Sequence, residues 1–452
     1  MRHFDPRLIH AADQDTSKIT ERDKILVAHA MAEERRTRRS WKYSGSSNGD
    51  VAWGAVRAQT AQQALAANMA IRQNILANAV PVLQNVRSGS LNNMTFGVPQ
   101  SWTVLASNVG LIRRFYLELT GTVSCGAGSL VSMTVGNLAN LLSNVQFIDQ
   151  NNRLRINTTG WHLHLAACQK RRRLFGASHT AAATSDPTGF GVNYAVQQGL
   201  GTVSTGTPKN FRFVLEIPVV NSNQDLTGAI YANQTTSNNQ LQFTINPNWV
   251  VFGVDPFYAS FVSSAALATN TPTLTNLTWT LYQDFLDQLP VDNTGFAQLP
   301  PIDIAYALCY QMINPGVQVA AQDNLYALPP FNVYQDLMLF WDNYTFNGAG
   351  GIGTDVNYIK VQISNTYILL QVDPSIAAIR ARNMLSFDLP AVIGATTTGS
   401  GSVYDLDFRH KPLSVNQLSS TNIVFNPATV AAATSNLQIG QEYVWYANQA
   451  AA

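Results

Sequence analysis

Charge is scarce in this chain. Asp, Glu, Lys and Arg make up 12% of its 452 residues, about half the share usual for a soluble domain. Asn, Gln, Ser and Thr must therefore carry the polar surface. A neutral, amide-rich surface suits a protein that spends its life packed against neighbours. The net charge is +1, so bulk electrostatics do not draw the chain to nucleic acid, and no sequence-specific nucleic-acid partner is expected.

Cysteine is equally scarce. Cys125, Cys168 and Cys309 are scattered and odd in number, which gives neither a disulfide framework nor a metal spacing. Long apolar runs are missing too. Trp249 to Ala268 comes nearest to a membrane span and is broken by Asp255-Pro256. MRHFDPRL at the start is followed by no apolar core of a signal peptide. We therefore expect a chain made in a reducing cytoplasm, or in a particle assembled there. No G-x-S-x-G, phosphate-binding loop or dinucleotide fingerprint occurs. Gly348-Ala349-Gly350-Gly351 lacks the strand-to-helix context and the lysine, and reads as a loop tip. Neither an enzyme nor a cofactor is expected.

What is present is apolar. Hydrophobic residues are 46%, enough for sizeable cores in two or three domains. The first 50 residues stand apart. Residues 1–42 hold ten Lys/Arg and seven Asp/Glu, 17 of the chain's 55 charges. Ile19 to Arg39 reads as a helix with few apolar anchors, and Ser44 to Gly49 as a flexible linker. The arm is either frayed or a basic arm touching anionic lipid or nucleic acid through Arg35, Arg36, Arg38, Arg39 and Lys42.

Residues 51–87 form one long helical pattern. Leu65, Met69, Leu76, Val80 and Leu83 recur at helical spacing, with Pro81 placed to kink or end the helix. From 88 to 289 the signals are strands. Phe115-Leu117-Leu119, Phe211 to Val219 and Leu241-Phe243-Ile245 alternate with polar neighbours between Gly/Ser/Thr/Asn-rich turns. Almost no helix is expected there, which argues a sandwich or jelly roll. Leu277, Trp279 and Leu281 continue the alternation. Asp284, Asp287, Pro290, Asn293, Gly295 and Pro300-Pro301 then read as turns and breakers. We read this as the seam between two β domains. After it, Phe331–Trp341, Ile359–Ile363, Val403–Phe408, Ile423–Phe425 and Tyr443–Tyr446 are again strand-like, with one helix at Pro374–Met384.

Several blocks resemble stretches of tectivirus major capsid proteins. They are Thr159 to His164, Asp225 to Ala229, Tyr282-Gln283 through Leu286 to Pro290, Thr354 to Tyr358, Phe425 to Pro427 and Gly440 to Tyr443, together with Ala79 to Gln84 at the end of the Ala/Gln-rich helix. They occur in family order across residues 60–446. The resemblance implies an all-β double jelly roll with an N-terminal helical arm. Residues 1–87 would be arm, linker and helix, 88–289 the first jelly roll, 290–301 the connector and 302–452 the second. It further implies a homotrimer of six upright barrels tiling an icosahedral shell over an internal membrane. Neighbouring trimers, penton and minor capsid proteins would be its partners and the virion its place. The arm 1–50, the loop Gln169–Pro187 and Gly348–Gly353 depart from the family, so no role is carried over for them. Two readings compete with the shell subunit: a two-domain glycan-binding lectin or spike, and a cupin-like metalloenzyme.

The metalloenzyme would use His162 and His164, which share one face if they lie on a strand. A site needs a third and usually a fourth ligand. His179 and His410 are remote, and no metal is expected. Lys170 to Arg173 is a cation run suited to phosphate or to solvent. Of the carboxylate pairs Asp284/Asp287 and Asp405/Asp407, the first reads as turn-forming.

Overall fold

The fold is described from a computed structural model. It covers residues 61–446 apart from residue 96 and the segments 125–129, 134–137, 172–202, 205–207, 233–237, 253–259, 264–271, 293–294, 344–355, 364–366, 375, 378–399, 416–419, 429 and 431–435. The arm with Arg35, Arg36, Arg38, Arg39 and Lys42 lies outside the described residues, as do Arg172, Arg173, His179 and most of the helix expected at 374–384.

Sixteen strands of five residues or more carry the described fold. The first eight are β1 (Val80–Ser90), β2 (Gln100–Leu105), β3 (Leu111–Ser124), β4 (Leu142–Ile148), β5 (Leu154–Thr158), β6 (Lys209–Pro218), β7 (Gln240–Ile245) and β8 (Thr273–Asp287). The second eight are β9 (Tyr306–Val317), β10 (Asn324–Leu328), β11 (Val333–Asn343), β12 (Val356–Ile363), β13 (Tyr367–Val372), β14 (Ser400–Asp407), β15 (Thr421–Pro427) and β16 (Asn436–Tyr446). In the first set the sheets run β1-β8-β3-β6 and β2-β7-β4-β5. In the second they run β9-β16-β11-β14 and β10-β15-β12-β13. Each set thus pairs its first, eighth, third and sixth strands, and its second, seventh, fourth and fifth. That is the jelly-roll order, twice over. The fold is the double jelly roll that the resemblance implied.

The two rolls are joined edge to edge. β5 and β9 pair in parallel, Tyr310 with Ile156 and Gln311 with Asn157. One sheet of each roll thereby becomes part of a single nine-stranded sheet. Strands buried on both faces read as near-continuous apolar runs, and Tyr306 to Tyr310 of β9 and Leu337 to Trp341 of β11 do so. Tyr306, Leu308 and Tyr310 join the first roll's apolar cluster, whereas Ala307 and Cys309 join the second's.

Two helices correct the sequence reading. α1 (Ala61–Asn78) stops well short of residue 87, and Val80–Ser90 is an edge strand that, among the described residues, pairs with β8 alone. Val80, Pro81 and Val82 are the reason. Pro81 has no N–H to continue a helix, and proline is tolerated in a strand at a sheet edge. The helical spacing of Val80 and Leu83 is coincidental, since both are exposed. α2 (Gly160–Arg171) is a helix where strand was expected. Thr159 caps it, its Oγ1 accepting the His162 N–H at 3.2 Å. Residues 160–166 are all buried, so no polar face betrays a helical period. None of the described helices is long and apolar enough to cross a membrane.

Asp284 corrects the seam. It lies inside β8, not in a turn, and binds Arg113 at 2.6 Å and Arg114 at 3.1 Å. β8 is irregular against β3 in two places, where Asn276 takes φ 53° between Thr275 and Thr278, and between Asp284 and Phe285.

Candidate functional site at the junction of the two rolls

α2 belongs to the first roll and lies on the outer face of the second roll's sheet. Trp161 packs on Phe340 at 5.2 Å. The His162 ring meets Tyr310 and Phe340 edge-on, at 5.9 and 6.0 Å. It also lies over Gly440, where a Cβ would come within 2.6 Å of the imidazole. Only a residue without a side chain lets helix and strand approach so closely.

The two histidines therefore do not share a face. Two residues apart on a helix is a turn of about 200°. His162 looks into the joint and hydrogen-bonds Thr158 Oγ1 through Nδ1 at 2.7 Å, while His164 looks into the first roll beside Phe213. Burial depresses both. His162 falls to about 4, with Glu442 pulling it up and Arg409 down, and His164 falls to about 3. Among the described residues no three His, Cys, Asp or Glu are grouped to hold a metal. Cys309 is buried, and burial pushes its thiol up to about 12, so it behaves as a small apolar residue.

Beyond the apolar contacts, the end of α2 reaches a cluster of buried charge. Asp336 on β11 stands directly across from Glu442 on β16 and from Asp407 on β14. Asp405 sits one pair along β14 on the same face. A bulge causes this. The register of β11 against β16 shifts between Tyr334 and Asp336, leaving Gln335 as the extra residue. The shift turns Asp336 toward α2, together with Met338 and Phe340, and away from the core that Leu337, Leu339 and Trp341 fill.

Cations from two directions meet these acids. Arg409, just past β14, spans Asp336 Oδ2 at 3.0 Å and Glu442 Oε2 at 2.8 Å, with Asp407 at 3.6 Å. Lys170 at the end of α2 reaches Glu442 Oε1 at 2.8 Å and the Tyr310 hydroxyl at 2.5 Å. Gln169 Nε2 donates to Asp405 Oδ2 at 2.8 Å. Burial opposes ionisation of Glu442, but Lys170 and Arg409 outweigh it and hold its pKa at about 2. Breaking such a pair leaves a buried charge uncompensated, at a cost of about 3–5 kcal/mol. The cluster thus couples the first roll to the second through specific, directional contacts.

A second clamp fixes α1. Arg72 grips Asp303 with two bonds, 2.7 and 2.5 Å, and approaches Asp225 at 3.5 Å. Asn68 Nδ2 donates to Asp303 Oδ1 at 3.0 Å, and its Oδ1 accepts the Ile302 N–H at 2.9 Å. Asp303 lies in the short helix α3 (Pro301–Ala305), between the connector and β9. The blocks Asp225–Ala229 and Leu286–Pro290 and the α1 helix, far apart in sequence, so meet in one place. Ile71, Ile75, Leu226, Ala229 and Leu286 form the apolar floor beneath them.

Sequence reasoning passed over most of these residues. Lys170 was grouped with the cation run, yet it is largely buried and paired. The available signal was a lone acid inside an apolar strand: Asp336 within Val333–Trp341, and Glu442 before Tyr443-Val444-Trp445. Buried charges are retained only when paired.

Comparison with known proteins gives a consistent answer. Family models described as the P3 major capsid protein N-terminal and C-terminal parts match residues 52–289 and 308–450. The major capsid protein P3 of Enterobacteria phage PRD1 is 29% identical over 389 residues, covering 84% of this chain and 92% of that protein. The crystal structure of the STIV MCP superposes with TM-score 0.55 at 11% identity, covering 82% of this chain and 99% of that one. A chain from the atomic structure of Sulfolobus Turreted Icosahedral Virus gives TM-score 0.54 at 12% identity, covering 82% and 92%.

Proposed function

The chain belongs to the P3 major capsid protein family and is a structural subunit of a viral capsid, and on that premise we propose that three copies form the building block of the shell. A trimer of two-roll chains presents six barrels in a near-hexagonal outline, and one such outline tiles a surface. The observation that carries this reading is the joint itself. Paired strands, α2 and the buried ions lock the two rolls of each chain into a single rigid body, which a tile of fixed outline requires.

Exposed apolar surface supports contact with other copies. Tyr367, Ile368 and Leu369 run consecutively along β13, an edge strand, and are 64%, 47% and 42% exposed. An exposed apolar edge invites pairing or burial against a neighbour. The gap between the two matched spans supports 290–301 as the connector between the rolls. Neighbouring trimers, penton and minor capsid proteins complete the shell in this reading. Assembly takes place in the host cytoplasm, and the chain performs no catalysis.

The arm is assigned to the inner side, against the virion membrane. It precedes α1 in the chain, and α1 is pinned to α3, beside the connector, by Arg72 and Asp303. Five cations, Arg35, Arg36, Arg38, Arg39 and Lys42, would each contribute on the order of 1 kcal/mol at an anionic bilayer. Glu33 and Glu34 reduce that attraction.

Light scattering on the purified protein tests the assembly. A species of about three times the 49.3 kDa chain mass, stable on dilution, is expected. A monomer at micromolar concentration would contradict it.

A further inference from the structure

Among the described residues, the joint between the rolls holds more buried carboxyls than cations. Asp336, Asp405 and Glu442 are each at most 1% exposed. Two cations, Arg409 and Lys170, reach into them. Asp407 adds a further carboxyl at the rim and is occupied by the Arg409 backbone N–H at 2.8 Å. Glu442 takes both cations, one on each oxygen. Asp336 receives Arg409 on Oδ2 only, and Asp405 receives the uncharged Gln169 on Oδ2 only. Oδ1 of Asp336 and Oδ1 of Asp405 are both buried without a hydrogen-bond donor. The two side chains project from the same face of adjacent strands at diagonal positions, within mutual reach.

We propose that the joint binds one proton at neutral pH, shared between Asp336 and Asp405, and that losing it in alkali loosens the two rolls from each other. Three deeply buried carboxyls then balance two cations, because one carboxyl is neutral. The proton also gives each bare Oδ1 a partner. Two carboxylates that share a site cannot both ionise at low cost. Burial, then the diagonal Asp405, raises Asp336 well above the usual carboxylate range, and burial raises Asp405 as well.

Among the described residues, these other titratable groups surround the pair. From α2 come Lys170, which is committed to Glu442, and His162, which burial keeps neutral. From β9 comes Tyr310, whose hydroxyl burial and Glu442 hold protonated. From β16 comes Glu442, from β14 Asp407, and from beyond it Arg409. None of these supplies the missing positive charge.

The sign follows from linkage. A carboxyl whose pKa is raised on folding contributes stability that is complete below its unfolded value of 3.8 and is lost as pH rises through the folded value. Above that point the unfolded chain no longer differs from the folded one by a held proton. In the window below it, each pH unit lowers the folding equilibrium constant by about tenfold for one proton. The proposal is independent of which shell the subunit builds.

The test is infrared spectroscopy of the full chain in D₂O at pH 7, wild type against Asp405→Asn. Asparagine keeps an acceptor for Gln169 and offers Asp336 a permanent N–H donor in place of the proton. A protonated-carboxyl C=O band is expected in the wild type, with part of it missing in the variant. A band of undiminished size in the variant, or no band in either protein, overturns the proposal. Thermal melts from pH 7 to 10 give the second readout. The wild type is expected to lose stability more steeply than Asp405→Asn, and equal slopes overturn the loosening. Should Asp405→Asn not fold, Gln169→Leu serves in its place. It leaves both carboxyls, so the wild-type band is expected to persist in full, and its loss counts against the shared proton.

Discussion

Asp336 and Glu442 face each other on adjacent strands, and one guanidinium, that of Arg409, bridges them at 3.0 and 2.8 Å. Like charges directly opposite on a sheet repel, so the pairing is tolerable only with the cation between them. Removing Arg409 exposes that dependence. Arg409→Met keeps the length and removes the charge, and should cost about 3–5 kcal/mol, read from the urea midpoint at pH 7. A loss under about 1 kcal/mol would mean the bridge contributes no more than an exposed ion pair.

Gly440 and His162 should behave as one unit. A Cβ at Gly440 would fall 2.6 Å from the imidazole, so Gly440→Ala alone should destabilise by about 1–3 kcal/mol through overpacking. His162→Ala opens space at the same spot. The double variant should therefore be more stable than the sum of the single losses predicts, with a coupling of at least about 0.5 kcal/mol. Strict additivity of the two single losses would show that α2 does not press on β16 there.

Acid should weaken the fold through its buried histidines. His162 and His164 titrate near 6.5 when unfolded and at about 4 and about 3 when folded. Between those values the unfolded chain binds the protons and the folded chain does not. Stability therefore falls as pH drops from about 6.5 to about 4, by about 1.4 kcal/mol per pH unit for each histidine. Thermal melts across that window should show it. His164→Gln should flatten the slope by one proton, and an unchanged slope would count against burial of that ring in its neutral form.

How much of this was legible beforehand depends on how many faces of a segment are buried. β3, β6 and β7 alternate because one face meets the core and the other is partly wet, and their period was plain. Residues 160–166 of α2 are buried on every side, so that stretch shows no period of either kind. The collinear blocks pointed to the double roll. They could not show that β5 and β9 would join the rolls edge to edge. Nor could local pattern foresee the cluster, because its members come from five separate elements and one bulge at Gln335 turns Asp336 toward α2.

The Arg72–Asp303 clamp should set how firmly α1 is held. Arg72→Met leaves Asp303 buried without its cation and should destabilise by about 3–5 kcal/mol. Restoring neutrality with Asp303→Asn in the same chain should recover part of that loss. Limited proteolysis is the readout, with cleavage around residues 61–78 faster in Arg72→Met than in the double variant. Equal rates would mean the ion pair does not hold the helix.

The edge strand β13 should matter for assembly and not for folding. Ile368 is 47% exposed, so Ile368→Lys should leave the monomer's melting temperature within about 2 °C, since surface changes rarely exceed ±0.5 kcal/mol. The same change should weaken association measured by sedimentation velocity. Unchanged association would remove β13 from the contact surface.

The central claim is that each chain supplies two upright rolls, rigidly joined, to a shell of like subunits. Electron cryo-microscopy of native particles tests it most directly. The account predicts a shell of trimeric tiles with six barrels each. The two rolls of every copy should superpose as one body on the present structure, with β5 paired to β9 throughout. Tiles built from another chain, or rolls that take different relative orientations in different copies, would contradict it.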